Sequence, residues 1–258
     1  MFKIIIVMSI KISEVSALPP DGLDKKDTKK ETKDLTEELY ELQRVMYAEG
    51  KQSLLVVFQG MDASGKDGAT RKVFGDINPA GCRVHSFKKP TDEEFAHDFL
   101  WRVHKVAPEK GMIQIFNRSH YEDVLIQRVH NWIDMDTVHR RFEHINNFER
   151  LLQDNGTHIL KFYLHISKEE QEIQLKERMT EPHKHWKHND NDWKEREHWD
   201  SYMEVYEDVF THCSPDIPWT IVPSNDNWYK EYVIAKKVVE TLRPLGMAYP
   251  GLDSEMGV

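Results

Sequence analysis

An apolar run that breaks into a glycine-bounded loop and then a lysine constrains this chain more than any other stretch: Leu54 to Asp67, LLVVFQGMDASGKD. Leu54, Leu55, Val56, Val57 and Phe58 read as a strand buried on both faces, and the residues from Gly65 onward read as the start of a helix. Between them, Gly60 to Lys66 spell G-x-x-x-x-G-K. In such a loop the glycines let backbone N–H groups turn toward an anion, the helix N-terminus adds partial positive charge, and the lysine reaches a phosphate oxygen. A glycine-rich turn can match this pattern by chance, but here strand, loop and helix follow in the order the motif requires. Gly60, Ala63, Ser64, Gly65 and Lys66 are therefore expected to cradle phosphate.

Two acidic residues set this loop apart from its usual form. Asp67 stands where a Ser or Thr normally offers a hydroxyl to magnesium, and Asp62 lies inside the loop. Each carboxylate would repel a phosphate by roughly 4 kcal/mol at about 4 Å in an effective dielectric of about 20. A divalent cation between them reverses the sign. Asp62 is accordingly expected to work with Mg²⁺, whereas Asp67 shares that work, holds Lys66 or caps the helix.

The 258 residues, 39% of them hydrophobic, suffice for one α/β domain with appendages. Two cysteines, Cys82 and Cys213, form no disulfide framework, which fits a reducing cytoplasm. A net charge of −9 argues against a general nucleic-acid binder. It leaves room for a local basic channel, for which Arg71, Lys72, Arg83, Lys88, Lys89, Arg118, Arg128, Arg178, Lys184 and Lys187 are the candidates. Phe2 to Ile10 is apolar apart from Lys3 and Ser9 and faintly resembles a signal peptide, yet is too short to span a bilayer. A cytoplasmic protein without membrane association is expected, and Met8 is an alternative start.

Residues 1–30 read as a flexible arm. From Glu31 a helix runs on Leu35, Leu39, Leu42 and Met46 to a stop at Gly50. The core helix after the loop reaches about Asp76, and a second strand spans Gly81 to Phe87. A capping box, Thr91 and Glu94, opens a helix predicted to reach Ala107. Met112 to Phe116 is a third strand, followed at once by NRSHYEDVLIQRVHN. Residues leaving such a strand face the ligand crevice, which makes Arg118, Glu122, Asp123 and Arg128 candidates. A helix from Asp134 to Gln153 and a fourth strand from Thr157 to Ile166 follow. A second capping box, Ser167 and Glu170, then opens a sparsely apolar helix to Met179 that flows into HKHWKHNDNDW. That segment suits closing over an anion better than burial. His183, His185 and His188 lack the spacing of a zinc pair. Trp193 to Phe210 reads as a helix, Trp219 to Val222 as a fifth strand, and Asn227 to Leu242 as a last helix.

Taken together, GMDASGKDG, FNRSHYED and the basic lid resemble the second polyphosphate kinase family, in order and spacing, from Glu31 to Leu245. The resemblance implies a three-layer α/β P-loop kinase fold over residues 31–245, with a central parallel five-stranded sheet, a helical lid at about 167–193 and an N-terminal helical extension; 246–258 is left as a tail. It also implies transfer of a phosphoryl group from inorganic polyphosphate to adenine or guanine nucleotides with Mg²⁺, by a homo-oligomer of two or four copies. The form HYED, where another branch carries an aromatic residue, Tyr and Asn, resembles the branch that raises AMP to ADP and then to ATP. By position, Asp62, Lys66 and Asp67 match the family's loop residues. Arg118, Glu122 and Asp123 match its second motif, and Arg178 matches its lid arginine. On that resemblance Lys66 and Arg118 hold the reacting phosphates, Asp62 and Asp123 bind metal, Glu122 and Asp123 organise the acceptor, and Arg178 completes the site on closure. The competing readings are an ATP-dependent nucleoside monophosphate kinase and a non-catalytic sensor of polyphosphate or nucleotide.

Overall fold

The computed structural model describes residues 10–213 and 215–251. The apolar run at residues 2–9, the alternative start at Met8 and the last seven residues of the tail lie outside them. In chain order the elements are α1 (Lys25–Glu49), β1 (Ser53–Gln59), α2 (Lys66–Phe74), β2 (Cys82–Ser86), α3 (Asp92–Phe95), α4 (Trp101–His104) and β3 (Ile113–Asn117). After a 3₁₀ turn at His120–Asp123 come α5 (Ile126–Val129), α6 (Met135–Asp154), β4 (Thr157–His165), α7 (Lys168–Thr180), α8 (Asp190–Glu197), α9 (Trp199–His212), β5 (Trp219–Pro223) and α10 (Asn227–Leu242).

The five strands form one parallel sheet in the order β2-β3-β1-β4-β5, with Val56 of β1 level with Ile115 and Leu160 on its two neighbours. All seven residues of β1 are buried, as a central parallel strand covered on both sides requires. Because successive side chains alternate across the pleat, Leu55 and Val57 join one core with Phe142 and Ile145 of α6 and Val209 of α9. Leu54, Val56 and Phe58 join the other, with Leu39 of α1, Val73 of α2 and Val238 of α10. The result is three layers with the carboxyl ends of β1 and β3 opening on one crevice. Among the described residues no helix is long and apolar enough to cross a membrane.

Three elements differ from the sequence reading. Helix α1 begins at Lys25, six residues before Glu31, because Asp24 caps it by accepting from the Lys26 and Asp27 N–H groups at 2.8 Å. Its first turns bury only Thr28 and so carry no apolar stripe to read. The arm before it is anchored in part: the Ile12 side chain is buried, its N–H donates to Glu207 at 2.7 Å, and the Ala17 carbonyl accepts from the Asn225 N–H at 3.1 Å. The capping box of Thr91 and Glu94 forms, yet the helix ends at Phe95 instead of Ala107. Asp98 accepts from the Leu100 N–H at 3.0 Å, a local turn that competes with the helical pattern before α4 restarts it. The helix read from Trp193 to Phe210 is two, α8 and α9, broken at His198, whose ring packs edge-on against His130.

A buried ionic cluster ties the sheet to the site. Lys161 of β4 donates to Glu149 of α6 at 2.7 Å, to the Cys213 carbonyl at 2.6 Å and to the Tyr121 hydroxyl at 2.9 Å, and that hydroxyl donates to Glu149 at 2.7 Å. Burial opposes ionisation of Glu149, but Lys161 and His120 together outweigh it and hold the carboxyl below its ordinary range. Losing one partner of such a pair costs about 3–5 kcal/mol, since the other is left charged and buried. Tyr121 belongs to the His120–Asp123 turn, so the cluster pins that turn to the sheet.

Candidate active site

The loop leaving β1 adopts conformations that only its sequence permits. Gly60 has φ +146, and a Cβ there would meet the Leu164 carbonyl at 2.7 Å. Gly65 has φ +92. Lys66 opens α2 and curls back over the loop, donating to the Gly60 carbonyl at 2.7 Å and the Met61 carbonyl at 3.1 Å. Burial, reinforced by Arg118 and opposed by Asp62, Glu122 and Asp67, draws its ammonium down to about 8.

Arg118 follows β3 in the left-handed region, φ +60, with its N–H held by the Phe58 carbonyl at 3.0 Å. A non-glycine residue held there stores strain, a common mark of functional positions. Its guanidinium joins two carboxylates, pairing closely with Asp62 on one arm and with Glu122 at 3.2 Å on the other. Burial resists ionisation of Asp62, but Arg118, Lys66 and Arg178 together hold its carboxyl below the ordinary value.

From the other side come α7 and the segment that follows it. Arg178 of α7 pairs with Asp192 of α8 at 2.5 Å, and Lys187 stands 3.8 Å from Asp67. Gln171 donates to the Asp62 carbonyl at 3.0 Å. These groups enclose a cavity of about 300 Å³ lined by Asp62, Ala63, Gly65, Lys66, Asp67, Gly68, Asn117, Arg118, Gln174, Arg178, Lys184 and Lys187. Behind Arg118 a narrow cleft brings Gly60 and Glu122 together with Glu195, Tyr202 and Tyr206. Tyr202 donates to Glu195 at 2.7 Å.

The structure thus brings Asp62, Ala63, Gly65, Lys66, Asp67, Arg118, Arg178 and Lys187 to one cavity, with Gly60 and Glu122 in the adjoining cleft and Ser64 within the loop. Other expected residues stand apart. Asp123 turns inward, accepting from Gln127 at 2.6 Å and facing Arg102 at 3.6 Å; burial, only partly offset by Arg102 and Arg141, pushes its carboxyl up to about 6. It lines neither the cavity nor the adjoining cleft. Arg128 is committed to Asp208 of α9 at 2.6 Å. Lys88 and Lys89 are exposed in the link between β2 and α3, off the cavity wall. Asp67 is the second residue of α2, whose N-cap is Gly65, and its carboxylate accepts from Asn117 at 2.5 Å. Asn117, Gln174 and Asp192 were missed. Asn117 was accessible to the strand-end rule that picked out Arg118, whereas Gln174 and Asp192 carry no signal apart from the fold.

The donor set suits Mg²⁺. Among the described residues no group of three or more acidic, His or Cys side chains forms a ready-made cage. Mg²⁺ seldom uses one: it takes one or two carboxylates and completes its octahedron with water and substrate phosphate. Asp62 and Asp67 on the wall of a phosphate-sized cavity match that pattern.

Comparison with known proteins gives the family. Residues 22–246 match the family model described as polyphosphate kinase 2 (PPK2). The chain is 50% identical over 217 residues to the AMP/ADP-polyphosphate phosphotransferase of Meiothermus ruber, covering 84% of this chain and 81% of that protein. It is 43% identical over 227 residues to the ADP-polyphosphate phosphotransferase of Rhodopseudomonas palustris, covering 83% and 78%. The crystal structure of polyphosphate kinase 2 from Arthrobacter aurescens superimposes with a TM-score of 0.92 at 40% identity, over 95% of this chain and 89% of that one. Loop, second motif and the segment from α7 onward meet at one crevice of a five-stranded parallel sheet, and nearly the whole chain is matched: it belongs to the polyphosphate kinase 2 family.

Proposed function

We propose that the protein transfers phosphoryl groups from inorganic polyphosphate to AMP and ADP, with guanine nucleotides as further acceptors, in the cytoplasm and as a homo-oligomer of two or four copies. The observation that carries the reading is the guanidinium of Arg118 set between Asp62 of the loop and Glu122 of the following turn. Phosphoryl transfer passes through a loose transition state and asks for positioning and charge stabilisation more than covalent help. Lys66 and the loop N–H groups hold the donor phosphates. Arg118 neutralises charge at the point of transfer, and Asp62 and Glu122 fix its plane. Asp62 and Asp67 would hold Mg²⁺, which would supply further neutralisation of phosphate charge. Arg178, Lys184 and Lys187 close the basic wall and exclude water that would hydrolyse the donor.

Protein incubated with Mg²⁺, AMP and polyphosphate, without ATP, should form ADP and then ATP. Turnover with ATP alone as donor would instead identify an ordinary nucleoside monophosphate kinase.

Glu122 is proposed to set acceptor choice, because it reaches the phosphates through Arg118 and shares a cleft with Glu195 and Tyr202. A carboxylate there occupies and charges the space that a diphosphate's extra phosphate would take. Glu122→Asn should shift the kcat/KM ratio from AMP toward ADP about tenfold, or about 1.4 kcal/mol of differential transition-state binding. An unchanged ratio, with both acceptors measured on parent and variant, would remove Glu122 from acceptor discrimination.

A further inference from the structure

Lys230 lies on the buried stripe of α10 with Ile234 and Val238, and it is 1% exposed. Its ammonium donates to the Ser64 carbonyl at 3.1 Å and to the Asn227 side-chain oxygen at 2.8 Å. Both acceptors are neutral. Keeping a cation there costs free energy, because neutral oxygens do not replace the water and counter-charge it gives up. Burial accordingly draws it down to about 8, against the pull of Glu231 and Glu170, and it remains charged at neutral pH. A group that weakens the fold is retained for another reason.

Gly65 indicates what that reason is. A Cβ at residue 65 would lie 2.2 Å from the Lys230 nitrogen, so the loop is shaped to admit this ammonium beneath it. The Ser64–Gly65 peptide is trans, and a trans peptide carries its C=O and N–H on opposite sides. Holding the Ser64 oxygen against Lys230 therefore turns the Gly65 N–H the other way, and Gly65 lines the phosphate cavity.

We infer that Lys230 is a positioning residue of the phosphate loop, one that fixes the Ser64–Gly65 peptide with its N–H toward the anion and adds positive charge behind it. Lys66 approaches the same loop from its own helix through the Gly60 and Met61 carbonyls, so two lysines grip it at different peptides. The inference rests on reading the cavity as the seat of polyphosphate.

Lys230→Met keeps the aliphatic stem and removes the charge and the donor. The expected result is at least tenfold weaker binding of tripolyphosphate by calorimetry with Mg²⁺ present. The KM for polyphosphate should rise similarly, the KM for AMP should stay unchanged, and the melting temperature should be no lower than the parent's. Lys230→Gln, which restores an N–H donor without charge, should bind tripolyphosphate between the two. A Met variant that melts lower would make Lys230 a structural residue and overturn the inference, as would one that binds tripolyphosphate like the parent. A parent that binds no tripolyphosphate would overturn the polyphosphate reading itself, an outcome distinct from either.

Discussion

Lys66→Ala should lower kcat/KM for AMP phosphorylation by about 10³-fold, roughly 4 kcal/mol of transition-state stabilisation, in a protein whose circular dichroism matches the parent. The lysine is the cation that the loop itself presents to the cavity, and its stem is too short a part of the core for the fold to depend on it. Its ordinary value of 10.5 is drawn to about 8 in the folded protein, so the fold disfavours the charged form. That burial therefore costs stability below about pH 8, and the cost fades as the pH rises toward 10.5. Removing the amine should leave the melting temperature at neutral pH unchanged or higher. Activity has the opposite dependence. The ammonium is the working form, so kcat/KM, which reports the free enzyme, should fall as pH rises through about 8. A bound polyanion favours the ammonium, which places the corresponding limb of kcat at higher pH. A folded Lys66→Ala protein with near-parent turnover would contradict the assignment of the loop to phosphate.

Arg118→Ala should cost a further case of about 10³-fold, in the range that removal of a transition-state arginine produces. The loss has two parts. The guanidinium no longer meets the transferring phosphoryl group, and Asp62 and Glu122 are left facing phosphate without the cation between them. Each such approach is worth roughly 4 kcal/mol of repulsion at about 4 Å and an effective dielectric of about 20. Arg118→Lys separates charge from geometry, since an ammonium can pair with one of the two carboxylates but cannot span both in a planar fork. It should recover less than a tenth of the lost rate. Arg118→Gly provides the structural control: the backbone at φ +60 suits glycine, so this variant should fold well and still be inactive. Parent-like turnover by Arg118→Lys would show that spanning Asp62 and Glu122 contributes nothing.

The parts of the fold that were legible were those whose pattern is local. β1, its loop and α2 announce themselves in one continuous stretch, and α10 occupies the span read from its periodicity, Asn227–Leu242. The onset of α1 was hidden because Asp24 caps an exposed turn, and the break after Phe95 because Asp98 redirects a single N–H group. At the site, residues adjacent in sequence diverge in space. A 3₁₀ turn has about three residues per turn, so neighbours point roughly 120° apart. In the His120–Asp123 turn this sends Glu122 to Arg118 and Asp123 to Arg102. The pairing of Arg128 was not legible because its partner, Asp208, lies far along the chain on another helix. Lys230 did leave a trace in the sequence, a lysine on an otherwise apolar stripe with Ile234 and Val238, which periodicity alone files as a lapse in the pattern.

The pinning of Tyr121 by Glu149 and Lys161 decides where acceptor preference is free to change. Any substitution at those three positions strands a charge or a hydroxyl in the core, so a lineage drifting there loses the protein before it gains a substrate. Glu195 and Tyr202 face the same cleft as Glu122 from α8 and α9, where a change of side chain leaves that cluster intact. A library aimed at new acceptors would do best to hold the Tyr121 cluster constant and vary positions 122, 195 and 202 together, since these touch one small volume and their effects will not add independently.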